Sequence, residues 1–568
     1  MGVYPRSNLV RAGLLLVLGL TVPSFVGAVE AASEEAGSHF LVGVEDLDGR
    51  RGDEALTLEL SANGRSVTLR ALRLGDGRAR WERRFDTAIR RSAWYGGQLR
   101  GRVVEVADLT RDGRSEVILI HHRHARQLST PNSGVAAALV VTVMDGRSGA
   151  TLWTHEEGSP VLGLTDERLP LWLAVGGLRT GVHPMRDVDG DGRRDLLVSY
   201  DEGYGAFAGA WPFGIESRVV AGGWWVLSGA TGAVIGAKTP EGRSDWREVV
   251  PTRDLSGDRA PDVVEAGSGL CADQWELTVA AYSIDGELHW KTPCRFVGWR
   301  PVDLLEVELD GDRGPEFLVA GGSDAPESES WVGNAIALDG ADGAVLWRIK
   351  GDGARLAGDL NGDAIDDFIT SGCSRDCTRS TVDARSGRDL SRLWRRAFNP
   401  PSFSADAALC CEDLTGDGTP DVVVATSAYV GDTDRRISSK LALDGSDGSV
   451  VWKATRSKGW PARPIYAAGG DVNANGTADI LSVGTRDGGR SVRLVYRDGA
   501  TARRIWTGLI PAPSTEAWAG DAVLASRGRR GVPLVLVGIN PVGGASPIAA
   551  CRIHALMAAG RQWSFPDC

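Results

Sequence analysis

Seven copies of one acidic frame run through this 568-residue chain and limit what it can fold into more than any other feature. The clearest is Asp187-Val-Asp189-Gly-Asp191-Gly192-Arg-Arg-Asp195, followed at once by the apolar run Leu196-Leu197-Val198. The spacing recurs as Asp108, Thr110, Asp112 and Glu116, then as Asp254, Ser256, Asp258 and Asp262. It continues as Glu308, Asp310, Asp312 and Glu316, and as Asp359, Asn361, Asp363 and Asp367. The last two copies are Asp413, Thr415, Asp417 and Asp421, and Asp471, Asn473, Asn475 and Asp479. Successive copies start 79, 67, 54, 51, 54 and 58 residues apart. An eighth, Asp46, Asp48 and Glu54, has Arg50 in fifth place, where a cation would stand in for a ligand, so no metal is expected there. Asp521 stands where a ninth, decayed copy would begin.

A second element alternates with the first. Ala337-Leu338-Asp339-Gly340-Ala-Asp342-Gly343-Ala-Val-Leu-Trp347 reads as a strand, a tight turn and a strand ending in Trp. Its relatives end at Trp81, Trp153, Trp290, Trp394, Trp452, Trp506 and Trp563, with a Trp-less version near Ser228 to Gly236. That placement accounts for 19 tryptophans against eight tyrosines, and the 74 glycines suit many tight turns. Each unit therefore predicts an acidic loop and about four strands, with no helical periodicity after the first residues. Such units cannot bury both faces of a sheet alone and must pack around a ring, which predicts an all-β chain forming a single β-propeller of four-stranded blades. The Trp residues are expected to wedge between neighbouring sheets. Nine hairpins can be counted, but a ring that closes by sharing a strand between its termini would merge two of them. Eight blades are expected, with seven and nine left open.

The acidic loops point to calcium. Positions 1, 3 and 5 aim oxygens at one point, Gly at position 6 permits a left-handed turn, and a carbonyl near position 7 and the acid at position 9 complete a hard-oxygen shell. The loop at Asp187 is complete, and those at Asp413, Asp108 and Asp359 come next. The loops at Asp254 and Glu308 carry Arg259 and Arg313 in the Gly position, and the loop at Asp471 has only two acids. The formal net charge of −11 becomes −13 without Arg6 and Arg11, and seven calcium ions would nearly cancel it, so the acidity is internal to metal loops.

Residues 1–28 have the layout of a cleaved signal peptide: Arg6 and Arg11, an apolar run from Ala12 to Val22, and Val26-Gly27-Ala28. A short linker, 29–39, then leads into a propeller over 40–568. No later stretch is apolar enough to span a membrane, and a secreted, periplasmic or cell-surface monomer is expected. All eight cysteines follow residue 270, and the expected pairs are Cys271 with Cys294, Cys373 with Cys377, and Cys551 with Cys568, while Cys410 and Cys411 are adjacent and could form a vicinal disulfide.

The loops resemble the FG-GAP and VCBS repeats of the integrin α-chain propeller and of secreted bacterial proteins. That resemblance covers nearly all of the mature chain and implies that the loop residues named above are calcium ligands, in an extracellular module that binds a protein or carbohydrate. The Trp hairpins look more like those of quinoprotein propellers. Two enzymatic alternatives follow: a lyase similar to propeller-type rhamnogalacturonan lyases, and a quinone-dependent dehydrogenase. No catalytic set can be matched to either. His121-His122-Arg123-His124 is expected in a solvated loop, and Tyr204, Phe207, Trp211 and Phe213 form an aromatic group in an insertion, suited to stacking on a ligand or capping the ring. No nucleophile elbow, phosphate loop or zinc-protease motif occurs, and no basic patch supports nucleic-acid binding.

Overall fold

Alternating apolar and polar positions separated by glycine turns give strands throughout. The computed structural model describes the strands and adjoining turns between residues 38 and 564. Residues 1–37, 565–568 and the connecting segments, of which the longest are 87–103, 125–135, 159–173 and 542–551, lie outside the description, as do the side chains of some strand residues, every cysteine among them. The proposed leader and disulfides therefore fall outside the described residues. Among those residues there are strands and turns and no helix, and no helix is long and apolar enough to cross a membrane.

The strands form nine four-stranded antiparallel sheets, each built from four consecutive strands. These blades span residues 38–86, 104–158, 174–238, 244–291, 299–350, 354–398, 404–457, 465–511 and 517–564. The first strand of the first blade, Ser38–Glu45, lies against the ninth blade, so the ends of the series meet as a β-propeller requires. Nine sheets among the described residues is one of the counts left open beside the eight expected: the described residues of the first and last blades each form a sheet of four strands, with none shared.

The hydrophobic clusters lie between blades rather than within them. Leu56, Leu58 and Leu69 of the first blade pack with Val117 and Leu119 of the second. Val264 and Val279 of the fourth pack with Phe317 and Ile336 of the fifth, and Ile369 and Val382 of the sixth with Val422 and Leu441 of the seventh. Each such side chain, once buried, contributes roughly 1.5–3 kcal/mol of transfer free energy. Stability thus depends on neighbours, as in other repeat folds.

In the first, second, fourth, sixth and seventh blades the outer strand carries a buried Trp, Trp81, Trp153, Trp290, Trp394 and Trp452, and in the strand Ala79–Asp86 Trp81 is the one buried residue. A register shift precedes that Trp in blade after blade. Leu72 pairs with Ala79 and Ala71 with Trp81, leaving Arg80 as the extra residue; Met144 pairs with Thr151 and Val143 with Trp153, leaving Leu152. Such a bulge adds local twist to the edge strand.

Candidate metal centres

Each acidic loop joins the first strand of a blade to its second, and its shape comes from its first residue. Asp187 Oδ1 accepts the N–H of Gly190 at 2.7 Å, and its Oδ2 that of Gly192 at 2.8 Å. Asp254 receives Gly257 and Arg259, Asp359 receives Gly362 and Ala364, and Asp413 receives Gly416 and Gly418 in the same way. The sixth position is left-handed whether or not it is glycine: φ is 91° at Gly192, 75° at Arg259 and 66° at Ala364. The fourth position is left-handed as well, at Gly190, Gly257, Gly362, Gly416 and Arg111, a requirement that the sequence frame did not reveal. Desolvation is the largest influence on Asp254, Asp359 and Asp413 and opposes ionisation, but the gathered backbone donors outweigh it and hold all three below the usual carboxylate pKa.

The ninth position does different work. Asp195 is fully buried. Its Oδ2 accepts the N–H of Val188 at 2.7 Å and its Oδ1 that of Gly229 at 2.9 Å, in the hairpin turn of the same blade. Asp367 ties Leu360 to Gly387, and Asp421 ties Leu414 to Gly445. Glu116 and Glu316 accept from Leu109 and Leu309. Burial pushes the pKa of Asp195, Asp367, Asp421 and Glu116 up, against the pull of these donors. The turn glycine has no room for a side chain: a Cβ on Gly229 would lie 1.8 Å from the carbonyl oxygen of Arg194, and one on Gly445 1.8 Å from that of Pro420. Its carbonyl accepts the indole N–H of the preceding blade's Trp, as from Trp153 to Gly229 and Trp394 to Gly445. The acidic loop and the Trp hairpin, separate signals in the sequence, thus meet at one glycine.

Convergence of oxygens differs between loops. At the complete loop, Asp187, Asp189 and Asp195 offer carboxylate oxygens within 4.8 Å of one another. Asp191 stands outside that group, its Oδ1 accepting the Arg193 N–H and its Oδ2 3.4 Å from Ser228 Oγ. A hard, all-oxygen donor set of this kind fits calcium, and each carboxylate has lone pairs beyond those already used. Thr110 donates to Glu116, while Ser256 and Thr415 donate to Asp254 and Asp413. Asp112, Asp258 and Asp417, each in fifth place, accept the backbone N–H two residues on. Asp363 does the same and faces Arg388 at 3.5 Å. In the Glu308 loop, Asp310 and Asp312 lie outside the described residues.

Two contributors escaped the sequence frame. Asp498, in the last described hairpin turn of this type, accepts the side-chain amides of Asn473 at 2.7 Å and Asn475 at 2.6 Å, supplying the carboxylate that the loop at Asp471 lacks. His289 Nε2 lies 3.2 Å from Asp262 Oδ1. At the first loop, Asp46, Asp48 and Glu54 converge as at Asp187. Arg50 lies outside the described residues, and it is Arg80 that reaches Asp48 and Glu54, at 2.5 and 2.8 Å.

The histidine run is not a loop: His121 to His124 belong to the strand Glu116–His124, and His121 is buried near Phe85. Tyr204 and Phe207 likewise belong to a long central hairpin of the third blade, Leu196–Phe207 with Ile215–Leu227, and Trp211 and Phe213 lie outside the described residues.

No family model matches the chain, and no curated protein matches its sequence. Solved structures similar to it include the exotype rhamnogalacturonan lyase YesX, at 13% identity over 68% of this chain and 74% of that one, with a TM-score of 0.36. Another is the quinohemoprotein alcohol dehydrogenase ADHIIG from Pseudomonas putida HK5, at 12% identity over 89% and 72%, with a TM-score of 0.34. The V. cholerae biofilm matrix protein Bap1 is similar at 13% identity over 93% and 88%, with a TM-score of 0.27. The propeller assignment rests on the chain's own sheets and their order.

Proposed function

We propose that this protein is a calcium-stabilised propeller of the FG-GAP and VCBS type, working outside the cytoplasm as a monomeric binding module for a protein or carbohydrate ligand. The observation that carries this reading is the use made of its acids. The ninth-position carboxylates are tied to backbone N–H groups at blade junctions, and the first-position carboxylates to the N–H groups of their own loops. Catalysis needs an acid, base or nucleophile facing a substrate, and these carboxylates face the protein. Calcium would be held by the loop residues at Asp108, Asp187, Asp254, Glu308, Asp359, Asp413 and Asp471, where it would offset their charge and stiffen each loop. We place ligand contact at the long hairpin of the third blade, which carries Tyr204 and Phe207.

Elemental analysis of the dialysed protein tests the metal reading, with about five to seven calcium ions expected per chain; none or one would overturn it. A glycan array run beside a polysaccharide-cleavage panel tests the class of function. Binding without turnover is expected. New unsaturated sugar ends, or quinone-dependent dye reduction, would replace the module by an enzyme.

A further inference from the structure

The first acidic loop carries a cation of its own. Asp48 and Glu54 are buried there, in a group with Asp46 whose carboxylate oxygens converge as at the complete loop. Buried carboxylates at such spacing require a positive charge among them. It comes from the outer strand of the same blade: Arg80 Nη2 donates to Asp48 Oδ2 at 2.5 Å and Nη1 to Glu54 Oε1 at 2.8 Å. Its Nε donates to the carbonyl of Arg147 in the second blade, at 3.1 Å. All three edges of the guanidinium fork are engaged, and the side chain is only 20% exposed.

Arg80 is the extra residue of the bulge before the docking Trp. By register the same place holds Leu152, Leu346, Leu393 and Val451 in other blades, residues that bring no charge to their loops. In the fourth blade it holds His289, whose ring nitrogen meets the ninth-position acid Asp262. Two blades therefore bring a side-chain nitrogen from one structural position to the acids of their own loop.

From this geometry we infer that Arg80 replaces the metal ion in the first blade, and that the bulge residue before the Trp decides whether a loop is closed by a side chain or takes a divalent cation. The inference rests on the calcium reading for the other loops, but its test compares variants with one another. The first blade then holds its shape at any calcium concentration and anchors the ring through Arg147. Blades with an apolar bulge residue, such as Leu152, Leu346, Leu393 or Val451, stiffen only as calcium is supplied.

The test measures calcium content after dialysis, together with melting in calcium and in chelator, on the mature chain. Arg50→Asp restores the fifth-position acid and, with Arg80 in place, is expected to gain no calcium. Arg50→Asp with Arg80→Leu is expected to gain one ion over the parent, to melt lower in chelator and to recover in calcium. The reciprocal change, Leu152→Arg, introduces a guanidinium at an exposed bulge residue of the second blade and is expected to lose one ion with the fold kept. It decides the matter if the double variant does not fold. A gain of calcium by Arg50→Asp alone, no gain by the double variant, or unchanged content in Leu152→Arg would each overturn the inference. A parent without calcium would instead overturn the calcium reading, and the double variant's gain of one ion would still stand.

Discussion

Trp153 of the second blade donates its indole N–H to the carbonyl of Gly229 in the third, 76 residues along the chain, while its ring covers Gly232 in the same turn. The pairing repeats from Trp81 to Gly146, Trp290 to Gly340, Trp394 to Gly445 and Trp452 to Gly499, at 2.6–2.8 Å. One side chain thus supplies both the apolar wedge between two sheets and the hydrogen bond that fixes their spacing. Because the accepting glycine also donates to the ninth-position acid in the third, seventh and eighth blades, the acidic loop and the blade interface are mechanically joined.

Gly232→Ala should expose this junction. The residue has φ of 72°, and a Cβ would lie 2.4 Å from the Trp153 ring. Left-handed strain and overpacking together should cost about 2–4 kcal/mol. Gly190→Ala is the control, since φ is 80° but nothing lies within 4 Å of the added carbon; about 1–2 kcal/mol is expected. Denaturant melts of the two variants should differ in that order.

Leu390→Gly should stabilise. In the sixth blade Leu390 takes the place of Gly149, Gly232, Gly343 and Gly448, at φ of 59°, and the indole N–H of Trp347, the fifth blade's counterpart of Trp153, is buried without a hydrogen-bond partner among the described residues. Removing the side chain relieves left-handed strain and lets the indole approach the Gly387 carbonyl. A gain of about 1 kcal/mol is expected after the entropic cost of glycine. A lower melting temperature than the parent's would count against the docking account.

Asp195→Asn should destabilise even in chelator. The carboxylate accepts from Val188 and Gly229 through different oxygens. An amide keeps one acceptor and sets an NH2 group against the other N–H. The expected loss is about 2–3 kcal/mol, read by melting in excess chelator, where a residue serving only as a metal ligand would show no change.

Asn475→Asp should change sign with calcium. Its side-chain amide now donates to Asp498, so without metal the new carboxylate meets a like charge, and the variant should melt below the parent. With calcium it adds a charged ligand, and the variant should melt above the parent. Two melts per protein decide it.

The fold was legible because the acidic frame and the Trp hairpin are local signals repeated in register. What joins them was not. Asp195 meets Gly229 across 34 residues, and Arg80 meets Asp48 across 32, contacts set by sheet register rather than by spacing along the chain. Arg50 drew attention as the cation of the first loop because it occupies a position in the frame, whereas Arg80 occupies a bulge that exists only once two strands pair. Nine hairpins were countable in the sequence, and the expectation of eight came from assuming a strand shared at closure, which the nine separate sheets of the described residues do not show. The histidines of the strand Glu116–His124 were expected in a solvated loop because they follow an apolar run and precede an insertion, yet the strand continues through them and Phe85 lies beside His121.

Closure without a shared strand has a further consequence. Among the described residues every sheet is whole within its own stretch of chain, and no backbone ladder runs from one blade to the next. A gene for such a ring can gain or lose a unit by in-frame duplication or deletion between blades without severing any ladder. The cost falls on the newly matched interface and on the angle at which the ring closes. Where a Trp meets a glycine turn on either side, as at 153 and 229, the seam is interchangeable; where Leu390 interrupts the pattern, it is not.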